Sequence, residues 1–149
     1  MKLVFESEVK ANPETVWNWI ASGAGIEKEI SPIIRMSSLA AIEPSKIGQV
    51  VLGEPLVRSW IWLFGFIPIG YSDLTLIEIN QGKGFLEKSP MSNMCNWEHE
   101  RRMEVVESGS IIKDILIFEP RFLPKISCMF INFLFNHRHK KLVKYLGYP

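Results

Sequence analysis

The sequence is short of cysteine, of net charge and of long apolar runs. Its 149 residues include two cysteines, too few for a disulfide framework, so we expect reduced thiols. A net charge of +1 gives no strong field for nucleic acid, and we predict no nucleic-acid partner. The longest uncharged run, residues 59–72, is shorter than the roughly 18 residues of a membrane-spanning helix, so we predict no integral membrane segment.

Familiar catalytic and metal-binding motifs are also missing. The sequence has no Walker loop, no GxSxG, no HExxH and no CxxC. His137 and His139 lie two positions apart in a predicted helix, so they point in roughly opposite directions and do not suit one metal ion. We predict no metal and no cofactor, and we assign both histidines to the cationic end of that helix. Charges within the N-terminal apolar run argue against a signal peptide, so we expect a cytoplasmic protein.

The composition that is present is that of one folded domain. Hydrophobic residues make up 47% of the chain and charged residues 22%, which is typical of globular proteins. The length suits a single domain, and no repeat, linker or low-complexity segment interrupts the sequence. We therefore predict one domain over residues 1–149.

The strongest helix signal covers residues 124–146. Pro124 suits the first helical position, because a proline lacks the N–H that would have no partner there. One stripe of residues recurs at spacings of three and four: Ile126, Met129, Phe130, Phe133 and His137. Other apolar residues widen this stripe, so the helix must be covered over most of its girth. We expect the preceding strands to cover it.

The rest of the chain is predicted to be mostly strands, after two short helices. Residues 2–10 alternate as a half-buried strand, and Asn12 and Pro13 then suit the start of a helix. A second short helix is predicted over residues 26–33. Further strands are predicted over residues 36–42, 49–53, 56–64, 71–79, 84–88, 94–106 and 111–119. Because helices do not alternate with these strands, we predict an α+β protein with an antiparallel sheet.

Several segments resemble the SRPBCC superfamily, which includes START lipid-transfer domains, the birch-pollen allergen type and polyketide cyclases. The resemblance rests on ANPETVW at the first strand-to-helix corner, on the long antiparallel run and on the C-terminal helix. Segments such as GFIPIGYSDLTL, GFLEKSPM, NWEHERRMEV, FEPRFLP and FNHRHKKL look like a bacterial branch of it. The resemblance implies a helix-grip fold, in which a curved antiparallel sheet wraps the last helix and encloses a cavity. The glycine-rich loop of the plant members is absent, so no function of that loop is implied.

Alternation in the last two strands selects the side chains that face this cavity. Lys113 and Glu119 share the face that should be solvated. The inward residues are then Cys95, Trp97, His99, Arg101, Met103 and Val105 on one strand and Ile112, Asp114, Leu116 and Phe118 on the other. With the hairpin tip at Ser108 and Gly109, Met103 lies opposite Asp114. Arg101 and Asp114 are then diagonal neighbours.

We predict that a small apolar or amphipathic molecule binds in the cavity. The candidate ligand contacts are Trp60, Trp62, Trp97, His99, Arg101, Met103, Asp114, Leu116, Phe118, Met129, Phe130 and Phe133. Buried charges need partners, which leaves two interpretations of Arg101 and Asp114. They form an ion pair that satisfies only itself, or they orient the polar head group of a ligand.

Two other functions fit the same sequence. An enzyme of the cyclase or dehydratase type, acting on a polyketide-like or aromatic substrate, would use His99 or Asp114 as acid or base. A protein-interaction module would use the apolar loop at residues 64–69, which also suits a lid, a membrane-touching tip or a homodimer contact. Cys95 and Cys128 fall on predicted buried positions and should be inert.

Overall fold

The computed structural model describes residues 1–148, in which seven strands form one curled antiparallel sheet. The strands are β1 (Lys2–Val9), β2 (Ile34–Met36), β3 (Pro55–Leu63), β4 (Ile67–Asn80), β5 (Gly84–Lys88), β6 (Met94–Val106) and β7 (Gly109–Pro120). The helices are α1 (Pro13–Ile20), α2 (Gly23–Ile30) and α3 (Pro124–Leu146), and 3₁₀ turns lie at Leu39–Ala41 and Pro44–Gln49. The order across the sheet is β1-β7-β6-β5-β4-β3-β2, so the first strand pairs with the last.

This architecture confirms the predicted α+β helix-grip fold. The long helix α3 packs against β1, β7 and α2, so the sheet wraps it as expected. The bounds predicted for β5, β6 and α3 coincide with those observed. Among the helices within residues 1–148, none is both long and apolar enough to cross a membrane.

The segment after α1 differs from the prediction. The second helix begins at Gly23 rather than at residue 26, because the Ser22 Oγ caps it by accepting a hydrogen bond from the Gly25 N–H at 3.0 Å. A serine followed by small residues therefore starts a helix here. The strands predicted over residues 36–42 and 49–53 are wrong, since only Met36 belongs to a strand, at the end of β2, and the other residues lie in turns, 3₁₀ turns or irregular structure.

The hairpin between β6 and β7 has a register two residues away from the predicted one. Val106 pairs with Gly109 across a two-residue turn, so Arg101 lies directly opposite Asp114, and Met103 lies opposite Ile112. A shift of two residues keeps every side chain on its own face of the sheet. The predicted inward face of β7 is therefore confirmed: Ile112, Asp114, Leu116 and Phe118 are all buried.

A β-bulge changes the facing of residues at the start of β6. The register shifts between Met94 and Asn96, which buries Met94 and leaves Cys95 exposed. The prediction that Cys95 is buried is wrong, because a bulge inserts one residue and reverses the alternation beyond it. Cys128 on α3 is partly buried.

The buried face of α3 is not the predicted apolar stripe. The residues buried on this helix are Ile131, Leu134, Phe135, Arg138, His139, Leu142 and Leu146. Three members of the predicted stripe, Ile126, Met129 and Phe133, are instead 61%, 72% and 59% exposed. The true stripe keeps the spacing of three and four residues through Arg138 and His139, whose polarity disguised it. The assignment of His139 to a solvated cationic end is therefore wrong.

Candidate ligand cavity and buried charge cluster

A cavity of about 610 Å³ lies between the sheet and the three helices. Its volume is within the range of sites that hold small molecules. Most of its wall is apolar and comes from every layer of the fold. The apolar lining includes Trp17 and Ile20 of α1, Ile26 and Ile30 of α2, Ile61 of β3, Ile69 of β4, Trp97 of β6, and Phe130 and Leu134 of α3.

One part of the wall is charged. Glu87, His99, Arg101 and Arg138 all line the cavity, and they come from β5, β6 and α3. The Glu87 Oε1 lies 3.5 Å from the His99 Nδ1, and the two arginines share Glu29 as a partner, so the four side chains form one continuous area. We call these four residues the polar patch. The cavity is therefore amphipathic, with an extended apolar wall and a single charged area.

Arg101 lies between two fully buried carboxylates. Its Nε and Nη2 donate to the two Asp114 carboxylate oxygens, both at 2.7 Å. Its Nη1 and Nη2 donate to the two Glu29 oxygens, both at 2.9 Å. Two-pronged pairing of this kind is the strongest geometry that a guanidinium offers a carboxylate. Arg101 thus joins β6 to β7 and to α2.

A second set of contacts completes the coordination of both carboxylates. The ring Nε2 atoms of His99 and His139 each lie 2.7 Å from one Asp114 oxygen. Glu29 also accepts hydrogen bonds from the Trp19 Nε1 at 2.8 Å and from the Arg138 Nε at 3.0 Å. Six residues therefore make up what we call the buried charge cluster: Glu29, His99, Arg101, Asp114, Arg138 and His139. Every carboxylate oxygen in it has at least two partners.

The two carboxylates of the cluster stay ionised although no solvent reaches them. Burial by itself would raise the pKa of Glu29, but the Arg101 and Arg138 charges outweigh it and hold this pKa below its usual value. Burial opposes ionisation of Asp114 in the same way. The charges of Arg101 and His99, with hydrogen bonds from Arg101 and His139, hold the pKa of Asp114 well below its ordinary range.

His99 is shifted in the opposite direction. Burial between the rings of Phe85 and Phe135 favours the neutral imidazole. The Asp114 charge and hydrogen bond, assisted by Glu87, outweigh burial and raise the pKa of His99 above its usual 6.5. The imidazolium form is therefore stabilised between two carboxylates.

The structure brings four of the twelve candidate ligand contacts to the cavity wall: Trp97, His99, Arg101 and Phe130. Four others are buried in the core without lining the cavity: Met103, Asp114, Leu116 and Phe118. The remaining four lie away from it: Met129, Phe133 and Trp60 are exposed, and Trp62 is partly buried at the edge of the sheet opposite Arg35.

The placement of the two β3 tryptophans has a physical reason. Side chains alternate between the two faces of β3, and Ser59 and Ile61 lie on the buried face. Trp60 lies between them in sequence and therefore on the outer face. There Trp60 packs edge-on against Tyr71 at 5.3 Å, and the Arg58 guanidinium lies over the Tyr71 ring at 4.1 Å. Aromatic side chains can cover a solvated sheet face when cations stack on them, so hydrophobicity alone assigned the wrong side.

Sequence reasoning missed Glu29, Glu87, Arg138 and His139. For the two α3 residues a signal existed, because each lies three or four positions from Phe135 and Leu142 on the same helical face. Glu29 likewise lies three residues after Ile26 and next to Ile30. A charged residue in register with a buried stripe predicts a buried partner of opposite charge, but the partner itself comes from a distant element. Within residues 1–148, no group of three His, Cys, Asp or Glu side chains is arranged to hold a metal ion.

Several solved structures share this fold over almost the whole chain. Protein CV1439 from Chromobacterium violaceum superposes with a TM-score of 0.74, at 11% identity, over 99% of this chain and 98% of its own. For Ara h 8.0201 the TM-score is 0.66, at 13% identity, with 98% and 97% covered. For the Aha1 dimer from Colwellia psychrerythraea it is 0.61, at 13% identity, with 100% and 99% covered. Likeness at such low identity shows the fold alone.

The curled sheet, the long helix α3 and the cavity between them define a helix-grip fold of the SRPBCC-like type. A family model matches residues 7–146, so the chain belongs to the family described as "Domain of unknown function (DUF8410)". Among proteins with curated descriptions, none matches the sequence significantly.

Replacing Arg101 with methionine should lower the free energy of unfolding by about 3–5 kcal/mol, because Glu29 and Asp114 would stay buried without their main countercharge. Urea unfolding followed by tryptophan fluorescence measures this change. The matched control is Arg102→Met, since the Arg102 side chain is exposed on the outer face and pairs with Glu100. That control should change the free energy by no more than about 0.5 kcal/mol. Equal losses in both variants would contradict the structural role of Arg101.

The stabilisation that His99 provides should fade at alkaline pH. A pKa that folding raises contributes stability fully below the unfolded value, near 6.5, and loses it as the pH rises through the folded value. The difference in unfolding free energy between the wild type and His99→Gln should therefore be largest near neutral or mildly acidic pH and shrink toward alkaline pH. Urea unfolding across this range tests it, and NMR should place the His99 titration midpoint above 6.5. A difference that stays constant with pH would refute the assignment.

Proposed function

We propose that this protein binds a small apolar or amphipathic molecule in the cavity between the sheet and α3. The observation that carries the proposal is the cavity of about 610 Å³, whose wall is mostly apolar and includes one charged area. Binding sites for small molecules typically combine an apolar wall with a few polar groups that orient the ligand. Three residues of the polar patch, His99, Arg101 and Arg138, are fixed by their hydrogen bonds to the buried carboxylates Asp114 and Glu29. A ligand would therefore meet polar groups that are already positioned.

Acid–base catalysis is a weaker candidate than binding. A general acid or base must come within hydrogen-bond distance of a substrate atom. The His99 Nε2 lies 2.7 Å from the Asp114 Oδ1, and its Nδ1 lies 3.5 Å from the Glu87 Oε1. Both ring nitrogens therefore face carboxylates of the protein. Asp114 is fully buried and does not line the cavity, so the cyclase or dehydratase hypothesis lacks a free catalytic group at these two positions.

Binding of the neutral fluorescent probe N-phenyl-1-naphthylamine tests the proposed function. The wild type should enhance the fluorescence of the probe in a saturable titration, because the apolar wall excludes water from it. Ile69→Trp adds volume at a half-buried position of the cavity wall and should weaken probe binding at least about tenfold, or about 1.4 kcal/mol.

The control variant is Ile117→Trp, which adds the same side chain to the outer face of β7, where Ile117 is exposed. Probe binding by this variant should match that of the wild type. Equal weakening by both substitutions, or no saturable binding to the wild type, would count against the cavity as the binding site.

We also propose that the apolar hairpin end at residues 64–69, which comprises the turn after β3 and the first residues of β4, contacts a second copy of this chain. Phe64, Phe66 and Ile67 are 58%, 72% and 42% exposed in the single chain. An exposed apolar patch of this kind is typical of a surface that another protein covers. One structure with the same fold is described as a dimer. A lipid ligand and a cytoplasmic location stay predictions from the sequence.

Phe66→Asp should convert a wild-type dimer to a monomer, because a charge would be placed in an apolar contact. Size-exclusion chromatography with light scattering measures both masses. The control is Ile117→Asp on the outer face of β7, which should keep the wild-type mass. A monomeric wild type, or a variant Phe66→Asp that remains dimeric, would exclude this contact.

A further inference from the structure

The hydrogen-bonding groups of Arg138 are only partly used by the protein. Arg138 lies on the buried face of α3 and lines the cavity, and its side chain is 10% exposed. Its Nε donates to the Glu29 Oε1 at 3.0 Å, and its guanidinium lies over the Phe135 ring at 4.7 Å. These two contacts hold the plane of the guanidinium in one orientation.

The two Nη groups of Arg138 donate no hydrogen bond to an acceptor within residues 1–148, whereas Arg101 uses its Nε, Nη1 and Nη2 on carboxylates. A guanidinium carries five N–H donors, and Arg138 directs a single one to the protein. Neither of its Nη atoms is sealed from solvent-sized space. Arg138 therefore lines the cavity and carries two Nη groups that no acceptor within residues 1–148 uses.

The charges around Arg138 favour an anionic partner for these donors. Glu29 and Asp114 are fully buried and do not line the cavity, whereas His99, Arg101 and Arg138 of the cluster do. Glu87 is the one carboxylate of the polar patch, and it is already engaged by the Ser89 Oγ at 2.5 Å and by His99. The accessible side of the patch near Arg138 is thus cationic.

We infer that the ligand carries a carboxylate, which the two Nη groups of Arg138 bind in a two-pronged pair while the apolar tail fills the rest of the cavity. This inference rests on the proposed function and names the ligand class for that site. A planar guanidinium matches the geometry of a carboxylate, and a charged pair in an apolar surrounding is stronger than a neutral hydrogen bond. An amphipathic carboxylic acid should therefore bind more tightly than the alcohol with the same chain.

Competition between dodecanoic acid and dodecan-1-ol for the probe-loaded protein tests the inference. At neutral pH the acid should displace N-phenyl-1-naphthylamine from the wild type with at least about tenfold higher affinity than the alcohol. Arg138→Gln should remove this preference, because it should weaken binding of the acid by about tenfold more than binding of the alcohol, both measured against the probe affinity of the same variant. Lys140→Gln removes the same charge from an exposed position on the same helix and should keep the preference.

The outcomes separate the two levels of the proposal. Equal displacement by acid and alcohol in the wild type would overturn the carboxylate inference and leave the binding function standing. A preference for the acid that survives in Arg138→Gln would overturn the assignment to Arg138. Isothermal titration calorimetry measures the heat of dodecanoate binding to the wild type directly, without a probe or a variant. Absence of heat there, together with absence of probe binding, would overturn both proposals.

Discussion

The pairing of Arg101 with Glu29 and Asp114 is the interaction on which the rest of the structure depends. Removing these three charged side chains from water costs several kcal/mol for each ion unless every donor and acceptor is matched. The match is achieved because Arg101 of β6 donates to Asp114 on the neighbouring strand and to Glu29 on α2, while Arg138 and His139 reach the same carboxylates from α3. The sheet and two helices must therefore adopt one relative position, since any other would leave a charge buried without a partner.

The same cluster explains how a charged area can exist inside an apolar cavity. Its two carboxylates are buried and do not line the cavity, whereas His99, Arg101 and Arg138 do. The structural role and the proposed ligand role fall on different atoms. Arg101 donates hydrogen bonds to the protein through all three of its nitrogens. Arg138 donates only through its Nε, and its two Nη groups donate to no acceptor within residues 1–148. The two interpretations of a buried ion pair that the sequence left open, self-satisfaction and ligand orientation, are thus compatible within one cluster.

The inward face of β7 was predicted correctly and the buried face of α3 was not, because an error in register has different consequences in a strand and in a helix. In a strand the side-chain period is two, so an error of two residues in the β6–β7 register left Arg101 and Asp114 on the predicted face. A helix has no such protection, because its residues point in many directions and the buried stripe must be chosen among overlapping ones. On α3 the more apolar stripe, with Met129 and Phe133, is exposed, while the stripe that contains Arg138 and His139 is buried. Counting apolar residues favours the wrong face whenever charges are buried in pairs.

Local patterns were sufficient for the class of fold, the bounds of β5, β6 and α3, and the inward face of β7, because alternation and capping depend on neighbours in sequence. They could not supply Glu29 as the partner of Arg101 and Arg138, since the hydrogen-bonded pairs are 72 and 109 positions apart. Nor could they show that Trp60 lies on the outer face of the sheet, or that the Nη groups of Arg138 donate to no acceptor within residues 1–148. Those features arise when distant elements meet, because a buried charge is defined by what surrounds it in space.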